Sequence, residues 1–241
     1  MRGSALVAVI AVVLTLSGVP AAGAQTASDA AHAPSPSPAA SQLSPPARPP
    51  AVASRSWIGA WGAHSVASGA VLGAIPDGRL SVVALRYSRV LLPSPAQGSS
   101  VHEGPVLSYT ADLVPVARLH IPSEARPAPF FREASRQGPF STTGVGTYPV
   151  GLRLTFRPRT RVRPFLAGQT GMLYFGAAVP DERGRRLNFA VGIGAGLQVL
   201  LLSGLSVTAG YRYHHLSNGF RGSINPGLDA NLLFLGVDTG L

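Results

Sequence analysis

Apolar side chains alternate with small or polar ones over long parts of the chain. In residues 187–199 every second position from Leu187 to Val199 is apolar, and the positions between are Asn, Ala, Gly or Gln. A repeat of two residues gives a β-strand one apolar face. The alternative is a transmembrane helix, because residues 187–205 are long enough to span a bilayer and Gly192 and Gly196 form a GxxxG pair. Glycine is a poor helix former, so we favour the strand.

Similar alternation recurs in seven further segments, which gives eight predicted strands. Several reach the roughly nine to eleven residues that a tilted strand needs to cross a bilayer. An even number of antiparallel strands can close without exposed edges, as sheet in lipid requires. We therefore predict an all-β fold, an eight-stranded antiparallel up-and-down transmembrane β-barrel. The predicted strands are residues 57–65, 80–91, 105–120, 144–156, 162–176, 186–201, 205–217 and 229–239.

The apolar face of such a barrel could point outward to lipid or inward to a core. A soluble sandwich or a lipocalin-like barrel would turn it inward. We favour the outward direction because the opposite faces carry small and polar residues, which a narrow lumen can hold. Aromatic residues predicted near strand ends, where membrane barrels carry aromatic girdles, favour the same interpretation. They are Trp57, Trp61, Tyr148 and Tyr174.

The N-terminal residues indicate where the protein is delivered. Arg2, the apolar residues 5–19 and the small residues ending at Ala24 have the pattern of a secretory signal peptide over residues 1–24. Residues 25–55 are rich in Pro, Ala and Ser and have almost no large apolar side chain, which predicts a disordered tether. The barrel domain is therefore predicted for residues 56–241, exported to the bacterial outer membrane.

The composition is strongly basic. The 20 Lys and Arg positions are all arginine, and with 10 acidic residues the formal net charge is +10. Such an excess can indicate nucleic acid, but the arginines are scattered through predicted loops, no nucleic-acid motif is present and the chain is exported. We therefore expect no nucleic acid, and outer-membrane lipids as the partner, because guanidinium groups bind phosphates bidentately. The oligomeric state stays open.

Polar and titratable side chains concentrate in residues 211–236, YRYHHLSNGFRGSINPGLDANLLFLG. If both termini are periplasmic, the seventh strand runs outward and this cluster lies at the extracellular rim. His215 and Ser217 share the apolar face of that strand, and Asp229 lies on the apolar face of the eighth. If residue 217 pairs with residue 229, Asp229 is diagonal to His215 and within reach of it.

A serine, a histidine and a carboxylate together meet the needs of an esterase. The hydroxyl is a weak nucleophile until an imidazole accepts its proton, and a carboxylate fixes the imidazole tautomer. The alternative is that Ser217 begins a loop, His215 is an interfacial residue and Asn-Pro-Gly is only a turn. The spacing alone leaves both interpretations open.

Residues 214–236, HHLSNGFRGSINPGLDANLLFLG, resemble the lipid A 3-O-deacylase (acyloxyacyl hydrolase-like) family of outer-membrane enzymes. The family signature is His-x-Ser-Asn, followed by an Asn-rich turn and a carboxylate in the last hairpin. The resemblance implies that His215 is the general base, Ser217 the nucleophile and Asp229 the orienting acid. The best-known members carry Glu at the acid position, and Asp is one methylene shorter. Either the hairpin is tighter here or the acid contributes less.

The same resemblance implies roles for neighbouring residues. Asn218 becomes a candidate oxyanion donor, and Asn225 and Gly227 would shape the loop. His214 faces the other way from His215, so we predict that it is lumenal and structural. Adjacent histidines on opposite faces have no metal-ligand spacing, and we expect neither a metal nor a cofactor.

The function implied by the resemblance is removal of an ester-linked acyl chain from lipid A of lipopolysaccharide. The apolar strip below Ser217 would hold acyl chains, while arginines at the rim attract the phosphates. Which acyl position is cut, and whether lipid A or a phospholipid is preferred, stays open. The alternative function is a non-enzymatic outer-membrane barrel with a structural or adhesion role, in which the same polar residues only order the rim.

Overall fold

The computed structural model of the protein describes residues 55–67, 71–75, 77–92, 104–122, 139–202 and 204–241. Within these ranges the chain forms a closed barrel in which each strand is antiparallel to the next and β1 pairs with β8. The predicted eight-stranded up-and-down barrel is confirmed. The strands are β1 (Ser56–Ala67), β2 (Arg79–Leu92), β3 (Val106–Ile121), β4 (Phe140–Thr155), β5 (Val162–Val179), β6 (Arg185–Leu202), β7 (Leu205–Ser217) and β8 (Leu228–Gly240).

Some of the predicted regions lie outside the described residues. The predicted signal peptide over residues 1–24 and all but the last residue of the tether over 25–55 are among them. In the part of the chain that the structure describes, no helix is long and apolar enough to cross a membrane.

The strand bounds differ most from the prediction at one end of β4 and β5. β4 begins at Phe140 rather than 144, and β5 continues to Val179 rather than 176. The added start of β4 contains Ser141, Thr142 and Thr143, which pair with residues of β3. Backbone pairing continues there although the side chains no longer follow the apolar alternation from which the strand was predicted.

Two prolines lie at irregularities of the β3–β4 ladder. Pairing jumps from Val114↔Gly146 to Ala117↔Gly144, which leaves Pro115 in a bulge of β3, and Pro149 lies in a second irregularity of β4. Proline has no N–H to donate to a ladder, so it is tolerated at bulges. The bulges therefore allow both strands to continue through a proline.

The outer face of the barrel is apolar. Side chains alternate between the lumen and the outer surface along each strand, and each of the eight strands exposes at least one large apolar residue. This is the arrangement of a barrel whose outer surface contacts lipid. Examples from different strands are Leu85, Leu113, Val150, Leu166, Ile193 and Leu235.

The lumen is filled with side chains, and many of them are polar. Arg86 Nε donates to Asp112 Oδ1 at 2.7 Å, and Trp61 Nε1 donates to Asp112 Oδ2 at 3.1 Å. The guanidinium of Arg212 lies 4.5 Å from the centre of a Trp61 ring, a cation–π contact. The small and polar faces read from the sequence therefore line a packed interior.

The aromatic residues predicted near strand ends are only partly where they were expected. Trp61 and Tyr148 are buried in the lumen, where their ring centroids lie 6.5 Å apart, so that prediction was wrong for both. Tyr174 is exposed on the outer face. Trp57 lines a small cavity together with Arg153 and Asp238. A Trp or Tyr can fill a narrow lumen when its polar atom finds a partner, as Trp61 does on Asp112.

The barrel has two distinct ends. The links β1–β2, β3–β4, β5–β6 and β7–β8 meet at one of them, which we call the site end. Ser56 and Leu241 meet at the other, where Leu241 N donates to Ser56 O at 3.0 Å. The polar cluster of the β7–β8 link is therefore at the end opposite to the barrel's own termini.

Candidate active site

The β7–β8 hairpin brings the predicted histidine and acid directly opposite each other. The observed register pairs His215 with Asp229 and Leu216 with Leu228. The predicted pairing of residue 217 with residue 229 was therefore wrong by two positions. A shift of two keeps every side chain on its face, so the predicted sharing of one face stands, and the hairpin is tighter than expected.

A hydrogen bond joins the two side chains. His215 Nδ1 donates to Asp229 Oδ1 at 2.7 Å. Because an ionised carboxylate only accepts, this bond places a proton on Nδ1, and in that tautomer Nε2 is the nitrogen that can accept a proton. His214 points into the lumen, where its Nε2 lies 2.8 Å from the Tyr148 hydroxyl. The predicted lumenal position of His214 is confirmed.

Asp229 is held by backbone amides from a distant part of the chain. The N–H groups of Val71, Leu72 and Gly73 donate to Asp229 Oδ2 at 2.7, 2.8 and 2.9 Å. Asp229 has 0% exposure although its position in β8 faces outward, because this segment covers it. Three N–H donors stabilise the ionised carboxylate and fix its orientation.

The segment that covers Asp229 is itself hydrogen-bonded to the β7–β8 link. Ala74 N donates to Pro226 O at 2.7 Å, and Ile75 N donates to Gly227 O at 3.2 Å. We call residues 71–75 the acid cradle. Sequence reasoning missed it, because donors on the backbone leave no side-chain signal. The one available sign was Gly73, whose added Cβ would lie 2.9 Å from Asp229 N, a close approach that only glycine permits.

Ser217 is two residues from His215 on the same face. Its Oγ donates to Asn225 Oδ1 at 3.0 Å and accepts from Gly219 N at 3.1 Å. The hydroxyl has one proton, so that proton is directed to Asn225 rather than to His215. Asn218 N also donates to Asn225 Oδ1, at 2.9 Å, and since a backbone N–H can only donate, the amide orientation of Asn225 is fixed.

Asn218 is engaged within the loop. Its side chain is buried, and Nδ2 donates to Ile224 O at 2.7 Å, while its backbone N–H donates to Asn225. Both bonds order the link between β7 and β8. They favour a loop-shaping role for Asn218 over the predicted role as an oxyanion donor.

Gly227 lies against the histidine ring. Its φ is +65°, a left-handed conformation, and an added Cβ would lie 2.8 Å from His215 Cε1 and 3.2 Å from Gly73 Cα. Only glycine adopts this backbone conformation without strain while leaving room for the ring. Gly227 therefore allows the link to pack on His215 and on the acid cradle at once.

Arg221 connects the β7–β8 link to β6 through hydrogen bonds. Its Nε donates to Asn218 O at 3.1 Å and its Nη2 to Leu187 O at 3.0 Å. The guanidinium also lies 4.9 Å from the centre of the Phe189 ring, and Phe189 is paired with Ser217 across the ladder. Sequence reasoning assigned no role of its own to this arginine.

The described residues contain no group of three or more His, Cys, Asp or Glu side chains that could hold a metal ion. What they do bring together is a histidine with a free acceptor nitrogen, an acid that orients it, and a serine on the same face. This set can transfer a proton from a hydroxyl, which is the chemistry of acyl transfer.

Residues 125–238 match the model of a family described as lipid A 3-O-deacylase (PagL). This span includes all three residues predicted to be catalytic, and it confirms the resemblance inferred from the last hairpin. A search of the curated proteins gives no match.

Two solved structures are among those similar to this chain. The outer membrane enzyme PagL has a TM-score of 0.45 and 19% sequence identity, covering 75% of this chain and 97% of that chain. Neisserial surface protein A (NspA) has a TM-score of 0.44 and 16% identity, covering 78% of this chain and 98% of that chain.

Proposed function

We propose that this chain, whose residues 125–238 match the lipid A 3-O-deacylase family, is a serine-type esterase of the bacterial outer membrane. It would remove an ester-linked acyl chain from lipid A of lipopolysaccharide. The observation that carries the proposal is the 2.7 Å hydrogen bond between His215 and Asp229 on the face that also bears Ser217. The family match supports lipid A deacylation, and the three catalytic roles are the finer part of the proposal.

The first step is attack of Ser217 Oγ on the ester carbonyl carbon. The hydroxyl must turn from Asn225 toward His215, whose Nε2 accepts the proton as the Oγ–C bond forms. Catalytic hydrogen bonds often tighten only when substrate is present. Asp229 keeps the Nδ1 proton in place and stabilises the imidazolium that results.

The tetrahedral intermediate places a negative charge on the former carbonyl oxygen. Asn225 is our candidate for stabilising it, because Ser217 and Asn218 both donate to its Oδ1, and the Nδ2 donor is the other end of the same amide. A preorganised donor of this kind contributes about 3–4 kcal/mol to transition-state stabilisation.

Collapse of the intermediate breaks the bond between the carbonyl carbon and the sugar oxygen, which takes the proton from His215 Nε2 and leaves as a hydroxyl. The acyl group stays on Ser217 Oγ until a water molecule attacks, with Nε2 again accepting a proton. Free fatty acid leaves and the hydroxyl of Ser217 is restored. Each step uses the same imidazole first as base and then as acid.

Substrate would reach the site laterally from the membrane. His215 and Ser217 lie on the outer, apolar face of the barrel near its site end, where exposed Tyr211 and Leu233 continue the apolar surface along β7 and β8. Acyl chains can lie along this surface in lipid, with the ester near the polar rim. The site end is then the extracellular end, where lipopolysaccharide is found.

Expression of the protein in a bacterium with a defined lipid A is the direct test. Mass spectrometry should show lipid A lighter by one acyl chain, because the proposed reaction replaces an ester by a hydroxyl. The same cells expressing Ser217→Ala provide the reference. An unchanged lipid A pattern, with the wild-type barrel inserted in the outer membrane, would contradict the proposal and favour the non-enzymatic alternative.

Gly73→Ala should impair hydrolysis without removing any side chain of the site. The added Cβ would lie 2.9 Å from backbone atoms of Leu228 and Asp229, so the acid cradle must move away from the carboxylate. Loss of amide donors to Asp229 should lower kcat by about tenfold, since each hydrogen bond to a charged group contributes roughly 1.5–3 kcal/mol. Fatty-acid release in detergent micelles measures the effect.

Gly62→Ala is the matched control for this variant. Its added Cβ would have its nearest contact at 3.9 Å from Val82 O, so the barrel accommodates it. Equal rates for Gly73→Ala and Gly62→Ala would mean that the acid cradle does not support the reaction.

A further inference from the structure

A pocket of about 390 Å³ opens at the site end between the β5–β6 link and the β7–β8 link. Its charged lining consists of three arginines, Arg185, Arg186 and Arg221, and one carboxylate, Glu182. Leu187 adds an apolar wall. The neighbouring Arg183 is bonded to Asp181 at 2.8 Å, so that pair is close to neutral. The pocket therefore has an excess of positive charge built from arginine alone.

The pocket is linked to the proposed nucleophile through Arg221. Arg221 forms part of its wall and donates through Nε to the carbonyl of Asn218, the residue that follows Ser217. The same guanidinium lies over Phe189, which pairs with Ser217 across the β6–β7 ladder. Arg221 therefore connects the pocket to the two residues that neighbour Ser217, one along the chain and one across the ladder.

Two of the three arginines, Arg185 and Arg221, are held in place and keep donors for a ligand. Arg185 Nε donates to Arg221 O at 2.5 Å, and Arg221 uses Nε and Nη2 for the carbonyls of Asn218 and Leu187. A guanidinium has five N–H donors, so these bonds use only some of the donors of each arginine and leave the others for a ligand. Fixed guanidinium groups lose less entropy when they bind an oxyanion, and their planar geometry matches two phosphate oxygens.

We propose that this pocket binds a phosphate monoester on the sugar of the substrate glycolipid. The inference rests on the proposed function, because a phosphorylated glucosamine places a phosphate and an acyl ester on the same ring. With the ester at Ser217, the phosphate lies in the arginine pocket. The pocket then selects phosphorylated glycolipids over neutral esters, and it sets which acyl chain of the sugar reaches the serine.

The test uses two synthetic substrates, a glucosamine with one ester-linked acyl chain and a 1-phosphate, and the same molecule without the phosphate. The wild-type protein in detergent should show kcat/KM at least about tenfold higher for the phosphorylated form, as expected for charge-assisted hydrogen bonds. Arg186→Gln should lower this ratio by about tenfold. The matched control is Arg118→Gln, an exposed arginine on β3, across the barrel from β7, which should leave the ratio unchanged.

Two results would overturn the phosphate site. Equal kcat/KM for both substrates with the wild-type protein would remove the selectivity. A fall in Arg186→Gln that is the same for both substrates would mean that this arginine only supports the structure of the links.

A binding measurement separates this inference from the proposed function. Ser217→Ala should bind the phosphorylated glycolipid more tightly than the unphosphorylated one, and adding Arg186→Gln should remove that difference. This readout needs no turnover, so absence of hydrolysis on both substrates would contradict the esterase proposal alone. Equal affinity for the two lipids would contradict the phosphate site.

Discussion

Ser217→Ala is expected to lower the rate of ester hydrolysis by at least ~10³-fold, because the proposed reaction cannot form its acyl-enzyme without the hydroxyl. The barrel itself should stay intact, since among the described residues the Ser217 Oγ is hydrogen-bonded to Asn225 and Gly219, both in the link at the site end. The measurement is fatty-acid release from purified lipid A in detergent micelles. Folding is checked by the gel mobility of unheated and heated samples.

Ser223→Ala is the control for this variant, because Ser223 is exposed in the same link. It should keep the full rate. If Ser217→Ala kept more than about a tenth of the wild-type rate, far above what loss of a nucleophile allows, Ser217 would not be the nucleophile. The hydrolysis would then have to be assigned to a different group.

Asp229→Asn is expected to reduce turnover by up to ~10⁴-fold, the loss seen when the acid of a Ser-His-Asp triad becomes an amide. The acid cradle makes the reason specific to this chain. Three N–H groups require an acceptor at the Oδ2 position, so the amide oxygen of Asn would face them. Its NH₂ would then face His215 Nδ1, forcing the imidazole proton onto Nε2, where it blocks the base.

Asp229→Glu keeps the negative charge of the acid but changes the position of its carboxylate, so it tests whether that position matters for the rate. The sequence alone suggests that glutamate would be tolerated, because it restores the side-chain length common in the family. The structure reverses that expectation, since Asp229 is fully buried between His215 and the acid cradle. Glutamate would displace one of them and should lower the rate as well.

Asp77→Asn is the control for both Asp229 variants, because Asp77 is an exposed aspartate of the β1–β2 link, which also contains the acid cradle. It should keep wild-type activity. Equal rates for Asp229→Asn and wild type would exclude Asp229 as the third member of the triad.

The strands and their faces were predictable because period-two alternation is a local property. It located β7 at residues 205–217 without error and put His215, Ser217 and Asp229 on one face. The register between β7 and β8 was harder to predict from the sequence. The link between β7 and β8 could have been shorter or longer by a pair of residues with no change in any face, and the sequence does not state where pairing ends. The shorter acid is explained only by the observed pairing of residue 215 with residue 229.

Contacts between segments that are far apart in the chain could not be predicted from the sequence. The acid cradle lies 156 to 158 positions from Asp229 and acts through backbone N–H groups, which every residue except proline has. Trp61 and Tyr148 were assigned to strand ends because their type is common there, yet their neighbours in the lumen, Asp112 and His214, come from other strands. A single sequence does not reveal which partners a polar aromatic residue will find.

The acid on the last strand depends on a segment that follows the first strand. β1 and β8 are neighbours only once the two edges of the sheet have joined, and until then Asp229 lacks the amides of Val71, Leu72 and Gly73. Under the proposed mechanism, an incompletely assembled chain would carry Ser217 and His215 without a fixed acid. The acid would then be fixed only in the closed barrel, so under this mechanism hydrolysis would depend on the pairing of the first strand with the last.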